Sequence, residues 1–308
     1  MDPVSQPILV VMDYRGGARF RRCLDSIAAS EQYFSRIIIS VTAAQDSEDM
    51  AIAQLYRLEH PESKVEVICT EVEMPTMQHQ AFWVDYLERS GAQASDWIYW
   101  LAYDDQVRAS GIELLLNPDR SWKLEPGTAY FGPWAMRHEK ADEVFPGPWD
   151  APLESWTSFP VPGPTRLSVI HWISRQLKQP TYMQMSGSVC SFESFLQVRD
   201  GRPRKTGPMR IEMAVASATC NTSVEEFPEP ISIIYGRPNS DRASYGSAAR
   251  KEDKHLLGWL ARYALSHPSS IPSLIRQSFG IAASYLGLDS RSTPKIEEDW
   301  VVRGIVQP

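Results

Sequence analysis

Along the first hundred or so residues, apolar runs of strand length alternate with stretches whose apolar residues recur at helical spacing. Ile8-Leu9-Val10-Val11-Met12 leads into Asp13-Tyr14-Arg15-Gly16-Gly17 and then into Phe20, Cys23, Leu24 and Ile27, which gives strand, glycine turn, helix. Ile37-Ile38-Ile39-Ser40-Val41 is a second strand, and the polar segment Thr42 to Asp49 opens a helix carrying Met50, Ile52, Leu55, Tyr56 and Leu58. A third strand, Val65 to Cys69, precedes a helix marked by Phe82, Trp83, Tyr86 and Leu87 that ends near Ser90-Gly91. The fourth, Trp97-Ile98-Tyr99-Trp100-Leu101-Ala102-Tyr103, is unbroken apolar and aromatic sequence and stops at Asp104-Asp105. Strands alternating with helices in this way predict βαβ units and a mainly parallel sheet, an α/β fold.

Beyond Pro118 the pattern weakens, and Pro, Gly and Trp become frequent up to Pro164. Thr128 to Trp134 still supplies a strand, while 145–149 and 159–164 read as loops of the kind that form lids or binding walls. Leu167 to Leu177 has helical spacing. Tyr182 to Val189 reads as a strand containing Ser186-Gly187-Ser188, and helices follow at Phe192 to Val198 and Met209 to Ala218. Ile231 to Tyr235 is strand-like, Gly236 to Gly246 is polar, and His255 to Leu288 is an amphipathic helical stretch interrupted at His267-Pro268. The expected organisation is an α/β domain over 1–250, with a nucleotide-binding half at 1–117 and an acceptor-side half at 118–250, followed by a helical extension over 251–308.

Composition narrows the function classes. A hydrophobic content of 43% and a charged content of 22% are ordinary for a globular protein, and the net charge of −7 offers nucleic acid no general attraction. Cys23, Cys69, Cys190 and Cys220 form no CxxC or Cys/His cluster, so they read as free thiols rather than zinc ligands. No apolar run reaches 18 residues, and the first is too short for a signal peptide, so a cytoplasmic protein is expected. Gly16-Gly17 lacks both the GxGxxG spacing of a dinucleotide fold and the lysine of a phosphate loop, which leaves NAD or ATP use with little support.

The candidate chemistry begins with Asp104-Asp105. Acids at the carboxyl end of a buried strand lie where open α/β sheets bind ligands, and two carboxylates there suit a divalent cation and, through it, a diphosphate. Taken alone, the pair reads more readily as a helix cap or a turn. The order of elements before it turns the reading towards a ligand.

That order, with Asp13-Tyr14 after the first strand, Cys23-Leu24-Asp25-Ser26-Ile27 in the first helix and Tyr99-Trp100-Leu101-Ala102-Tyr103-Asp104-Asp105 at the fourth strand, resembles family 2 glycosyltransferases of the GT-A (Rossmann-like) fold over residues 7 to 240. The family usually carries an acid two residues before the aspartate pair, where this chain has Ala102. It also commonly places acids on the second strand, where this chain reads Ser40-Val41-Thr42. The resemblance implies inverting transfer of a sugar from a nucleoside-diphosphate sugar to a hydroxyl of a saccharide or lipid-linked saccharide, in bacterial surface polysaccharide or glycoconjugate synthesis. It implies Mn²⁺ or Mg²⁺ on Asp104 and Asp105, and donor contacts from Asp13, Tyr14, Arg15, Gln80, Asp104, Ser186, Gly187, Arg237 and Arg242. His79, Ser188 and Ser240 are further contacts of this kind. Glu212, in Gly207-Pro208-Met209-Arg210-Ile211-Glu212, stands where the family has its general base, and Glu193 competes for that role.

Trp134, Trp149 and Trp156 are candidates for stacking on an acceptor sugar, although core or interdomain packing is the commoner role of such residues. The apolar face of the last helices suits packing on the catalytic domain or on a second subunit, as in a homodimer, with peripheral membrane contact as the lesser use. Two rival classes stay open: a sugar-phosphate nucleotidyltransferase, whose usual basic glycine-rich first loop fits Asp13 to Gly17 poorly, and a polysaccharide-binding protein that keeps the fold without turnover.

Overall fold

The computed structural model describes residues 6–74, 76–131, 135–138, 157–158, 166–168, 186–200, 223–227 and 230–236, with positions 268, 272 and 275. The expected first half is present element by element: β1 (Ile8–Asp13), α1 (Ala18–Ala28), β2 (Arg36–Val41), α2 (Glu48–Glu59), β3 (Val65–Cys69), α3 (Thr76–Arg89) and β4 (Trp97–Ala102). Then come β5 (Gln106–Val107), α4 (Ala109–Glu113), β6 (Thr128–Phe131), β7 (Ala135–His138), β8 (Thr157–Ser158), β9 (Arg166–Ser168), β10 (Ser188–Ser191), α5 (Phe192–Asp200), β11 (Ser223–Glu226) and β12 (Ser232–Gly236).

Among the described residues an eight-stranded sheet runs in the order β3-β2-β1-β4-β10-β6-β11-β9. β1 pairs in parallel with β2 and β4, and β2 with β3, so four strands end at one rim, at Asp13, Val41, Cys69 and Ala102. β10 then enters antiparallel beside β4, with Ser188 opposite Trp100. This is an α/β sheet flanked by helices, as expected.

Alternation along the strands decides what lies on each face. Ile8, Val10 and Met12 join Ile38, Ile98 and Trp100 beneath Trp83, Val84 and Leu87 of α3 and Phe192 and Phe195 of α5. Leu9, Val11, Ile37, Ile39, Tyr99 and Leu101 face Phe20, Cys23, Leu24 and Ile27 of α1 and Met50, Ala53 and Tyr56 of α2. Strands buried on both faces have no polar alternation to show, which is why they read as continuous apolar runs.

Three expectations are corrected. Residues 166–168 form a strand, because Leu167 pairs with Val224 of β11; the helical spacing from Leu167 was read across a strand end. β11 was not anticipated: Ser223-Val224-Glu225-Glu226 has one strongly apolar residue, Val224, which is fully buried. The Asp104-Asp105 turn leads into a strand rather than capping a helix, and β5 joins β12, β7 and β8 in a second, four-stranded sheet. The expected helix at 209–218 and the extension 251–308 lie outside the described residues, apart from positions 268, 272 and 275. Among the described residues no helix is long and apolar enough to cross a membrane.

Phe195 is fully buried and meets Trp83 edge to face at 5.1 Å, which joins α5 to α3 over the sheet. Phe195→Ala is expected to lower the unfolding free energy by about 3–5 kcal/mol, read by urea denaturation. A loss below about 1 kcal/mol would contradict the packing described.

Candidate active site

The rim where the parallel strands end carries the candidate residues. The turn after β1 is the most constrained part of it. Gly16 is packed so closely that a Cβ would lie 2.5 Å from Asp13 Oδ1, 2.5 Å from Phe20 Cβ and 2.7 Å from Tyr103 Cδ2. Only glycine fits, and this places the turn directly against Tyr103, the residue before the acid pair. Gly17 (φ 52°) and Arg15 (φ 52°) both take left-handed backbone, which glycine adopts freely and arginine does not.

The turn presents Tyr14, 45% exposed, at its tip. Arg15 lies beside it, 5.5 Å from the Tyr14 ring centre, and donates through Nε and Nη2 to both carboxylate oxygens of Glu73, at 2.7 and 2.8 Å. Tyr14 and Arg15 are therefore at the open rim, where a ligand can reach them. Asp13 is not: its side chain shares the α1 and α2 face of the sheet and is fully buried.

Neither carboxylate oxygen of Asp13 has a well-formed hydrogen bond, and the carboxylate of Asp49, from the first turn of α2, lies close enough to repel it. Burial and then the Asp49 charge push the Asp13 carboxyl up to about 9, against weaker opposing pulls from the Gly16 and Tyr14 amides. At neutral pH Asp13 carries a proton. The protonated form removes the charge that burial beside Asp49 penalises.

The acid turn is anchored from three sides. Arg22 of α1, 3% exposed, donates from Nη2 to the Asp104 carbonyl at 2.7 Å and lies 3.6 Å from the ring centre of Tyr235 in β12. Ser26, one helical turn on, accepts a hydrogen bond from the Val107 amide at 3.0 Å. Asp105 is buried, and its Oδ1 accepts from the Tyr235 amide at 3.1 Å. Asp104 is half-buried. Arg22 was not legible as part of the site, because Arg21 beside it in sequence is a surface residue paired with Asp25 and Glu59. The one signal was Ser26 four residues later, on the same buried helix face.

Ser186 and Gly187 stand at the same rim, at the start of β10. Ser186 Oγ accepts from the Ala102 amide at 3.1 Å, and the Gly187 amide donates to the Trp100 carbonyl at 2.8 Å. Gly187 has φ 80°, and a Cβ there would lie 2.1 Å from Ser232 Oγ. Both residues thus lock β10 to the acid strand.

Gln80 and His79 belong to the interior of α3, each at most 2% exposed. His79 Nε2 lies 2.7 Å from Ser40 Oγ, and burial pushes the imidazole down to about 4, so it is neutral. Strand β2 thus spends its polar residue on a core hydrogen bond. The next, Thr42, accepts from the Met74 amide at 2.7 Å and from Thr70 Oγ1 at 3.2 Å, folding the loop after β3 inward.

Glu193, the competing base, is placed away from the rim. Its amide donates to the Ala94 carbonyl, ahead of β4, so the length of β4, about 20 Å, separates it from Asp104. Glu212, Arg237 and Arg242, with Ser240, Trp134, Trp149 and Trp156, lie outside the described residues.

For a cation, the donor set is two neighbouring carboxylates. Among the described residues no group of three or more His, Cys, Asp or Glu side chains converges on one point. Two carboxylates fit Mg²⁺ or Mn²⁺ of the kind completed by substrate phosphates and water, and do not fit a fully protein-built metal cage.

The sheet order, with four parallel strands ending at one rim and an antiparallel strand beside the acid strand, is that of a GT-A-type, Rossmann-like fold. A scan against protein-family models finds no match, and neither does a search of curated proteins. Solved structures do match. GalNAc-T7, crystallised with UDP, GalNAc and Mn²⁺, superposes with a TM-score of 0.51 at 14% identity, covering 91% of this chain and 55% of its own. The present chain therefore spans about half of that protein. The mannosyltransferase PcManGT of Pyrobaculum calidifontis, in complex with GDP-Man and Mn²⁺, gives 0.48 at 12% identity over 98% of this chain and 81% of its own. S. aureus TarS with UDP gives 0.43 at 9% over 84% and 72%. Of these three, only the first reaches a similarity that carries an argument, and at its identity that argument concerns the fold alone.

The raised Asp13 has a sign that can be measured. A carboxyl whose folded pKa exceeds its unfolded value binds more protons in the native state, so its contribution to stability is full below about pH 3.8 and falls as pH rises towards 9. Asp13→Asn supplies a permanent donor and abolishes that slope. The variant is expected to gain roughly 1–3 kcal/mol relative to wild type between pH 5 and pH 7, measured by urea unfolding at both. An equal difference at the two pH values would contradict a protonated Asp13.

Proposed function

We propose that the protein is a metal-dependent, inverting glycosyltransferase of the family 2 type that moves a hexosyl group from a nucleoside-diphosphate sugar to a hydroxyl of a saccharide or lipid-linked saccharide, in the synthesis of bacterial surface polysaccharide or glycoconjugate. The observation that carries this reading is the convergence, at one rim of a GT-A sheet, of the exposed Tyr14-Arg15 turn with the anchored Asp104-Asp105 turn. Support of a weaker kind comes from the fold shared with GalNAc-T7, which was crystallised with UDP and Mn²⁺.

In this reading Tyr14 offers its ring face to the nucleobase, and Arg15 exchanges its exposed partner Glu73 for donor oxygens. Asp104 and Asp105 hold the cation, Asp105 through the oxygen that the Tyr235 amide does not engage. The bound cation neutralises charge on the leaving diphosphate. Arg237 and Arg242, which follow β12 in sequence, reach the same diphosphate, and Glu212 takes the proton of the acceptor hydroxyl. Tyr235, near the end of β12 and two residues before Arg237 in sequence, joins that strand to Asp105. The protein acts at the cytoplasmic side, with at most peripheral contact with the membrane.

Asp105→Asn keeps the size and the oxygen that accepts from Tyr235 but loses the charge. With UDP-, GDP-, CDP- and dTDP-sugars, Mn²⁺ and a panel of saccharide acceptors, the wild type is expected to release the diphosphate of one donor. The variant is expected to be slower by on the order of 100-fold with little change in melting temperature. Failure of the wild type to consume any donor would overturn the assignment.

A further inference from the structure

Asp49 was not among the residues singled out from the sequence, yet it makes the buried connection to the turn that carries Tyr14 and Arg15. Its Oδ1 accepts from the Gly17 amide at 2.7 Å and its Oδ2 from the Gly16 amide at 3.2 Å. One carboxylate thus spans two consecutive backbone donors at the start of α1, where unsatisfied amides favour negative charge. The residue is 6% exposed and lies beneath the turn.

The turn needs such a hold. Arg15 and Gly17 are both left-handed. From the solvent side the described restraint is the Arg15–Glu73 ion pair, whose side chains are 67% and 46% exposed, and a pair so exposed holds little and is screened by salt. The helix that carries Asp49 does not use it as a cap: Ser47 is the N-cap of α2 and accepts from the Met50 amide. Asp49 also sits beside a second buried acid, Asp13, an arrangement that costs stability and that helix capping does not require.

We infer that Asp49 is a positioning residue of the donor site, holding the Tyr14–Gly17 turn in the shape that presents Tyr14 and Arg15 at the rim and keeps Gly16 against Tyr103. It touches no donor itself. The role rests on the sugar-transfer reading above, since it concerns the wall of that donor's site. The carboxylate at this end of the sheet thus comes from α2 and grips backbone, while Ser40 and Thr42 are engaged in the core and in the loop after β3.

The test compares wild type, Asp49→Asn and Asp49→Ala with Glu48→Gln, which removes one charge from the same helix end at an exposed position. Binding of UDP, GDP, CDP and dTDP with Mn²⁺ is measured by calorimetry well below the melting temperature, and hydrogen exchange is followed over residues 14–20. Asp49→Asn, which keeps the side chain's shape and turns one acceptor into a donor, is expected to weaken the bound nucleotide about tenfold. Exchange over the turn should speed up by a similar factor, and Glu48→Gln should stay within about twofold of wild type in both. A purely structural role would lower the melting temperature and leave affinity unchanged in the folded protein. If wild type binds a nucleotide and Asp49→Asn binds it equally well, or if exchange over the turn is unaltered, the role of Asp49 is overturned while the donor reading stands. If wild type binds none of the four, the donor reading falls and takes the role with it.

Discussion

The turn after the first strand can lie against the end of the acid-bearing strand only because residue 16 has no side chain. A Cβ there would collide at once with Asp13, Phe20 and Tyr103. That one contact brings together the base of α1, the buried end of β1 and the residue preceding Asp104. Once α1 is seated there, its Arg22 and Ser26 reach the Asp104 carbonyl and the Val107 amide, one on each side of the acid pair. A single helix thereby aligns the exposed aromatic turn with the carboxylates. The sheet below the rim is buried on both faces and closely packed.

Function and stability compete at this rim. The interior holds Asp13, Asp49 and Arg22, groups that a fold under pressure for stability alone would replace with hydrocarbon. Two of them are met by specific partners, two glycine amides for Asp49 and a carbonyl and a tyrosine ring for Arg22, while burial beside Asp49 keeps Asp13 protonated. On the other face of the sheet, Ser40 and His79 form a neutral pair that burial holds uncharged. At both strand ends, Asp13 of β1 and Ser40 with its partner His79, burial holds the polar side chains in their neutral forms.

The parallel half was legible in the sequence because strands buried on both faces and helices buried on one leave patterns of period and run length that a linear reading detects. The second half was less so. Strand β11 hides one buried valine among polar residues, β9 mimics the start of a helix, and the strand that turns antiparallel beside β4 differs in pairing and not in composition. Among the candidate residues, Tyr14 and Arg15 are at the open rim, whereas Asp13 and Gln80 are buried; exposure depends on which sheet face and which helix side a residue takes, and a residue type does not report it. Asp49 and Arg22 stayed hidden for a related reason. Their roles depend on backbone partners, Gly16, Gly17 and Asp104, that approach from distant parts of the chain.

The central claim is that the rim binds a nucleoside diphosphate through a divalent cation on the acid pair. The most direct measurement is a calorimetric titration of the wild-type protein with UDP, GDP, CDP and dTDP, each in Mn²⁺ and again in EDTA. The account predicts that one nucleotide binds with micromolar-range affinity, about −8 kcal/mol, and that chelation abolishes the heat. Equal binding with and without metal, or no binding of any nucleotide by folded protein, would contradict it.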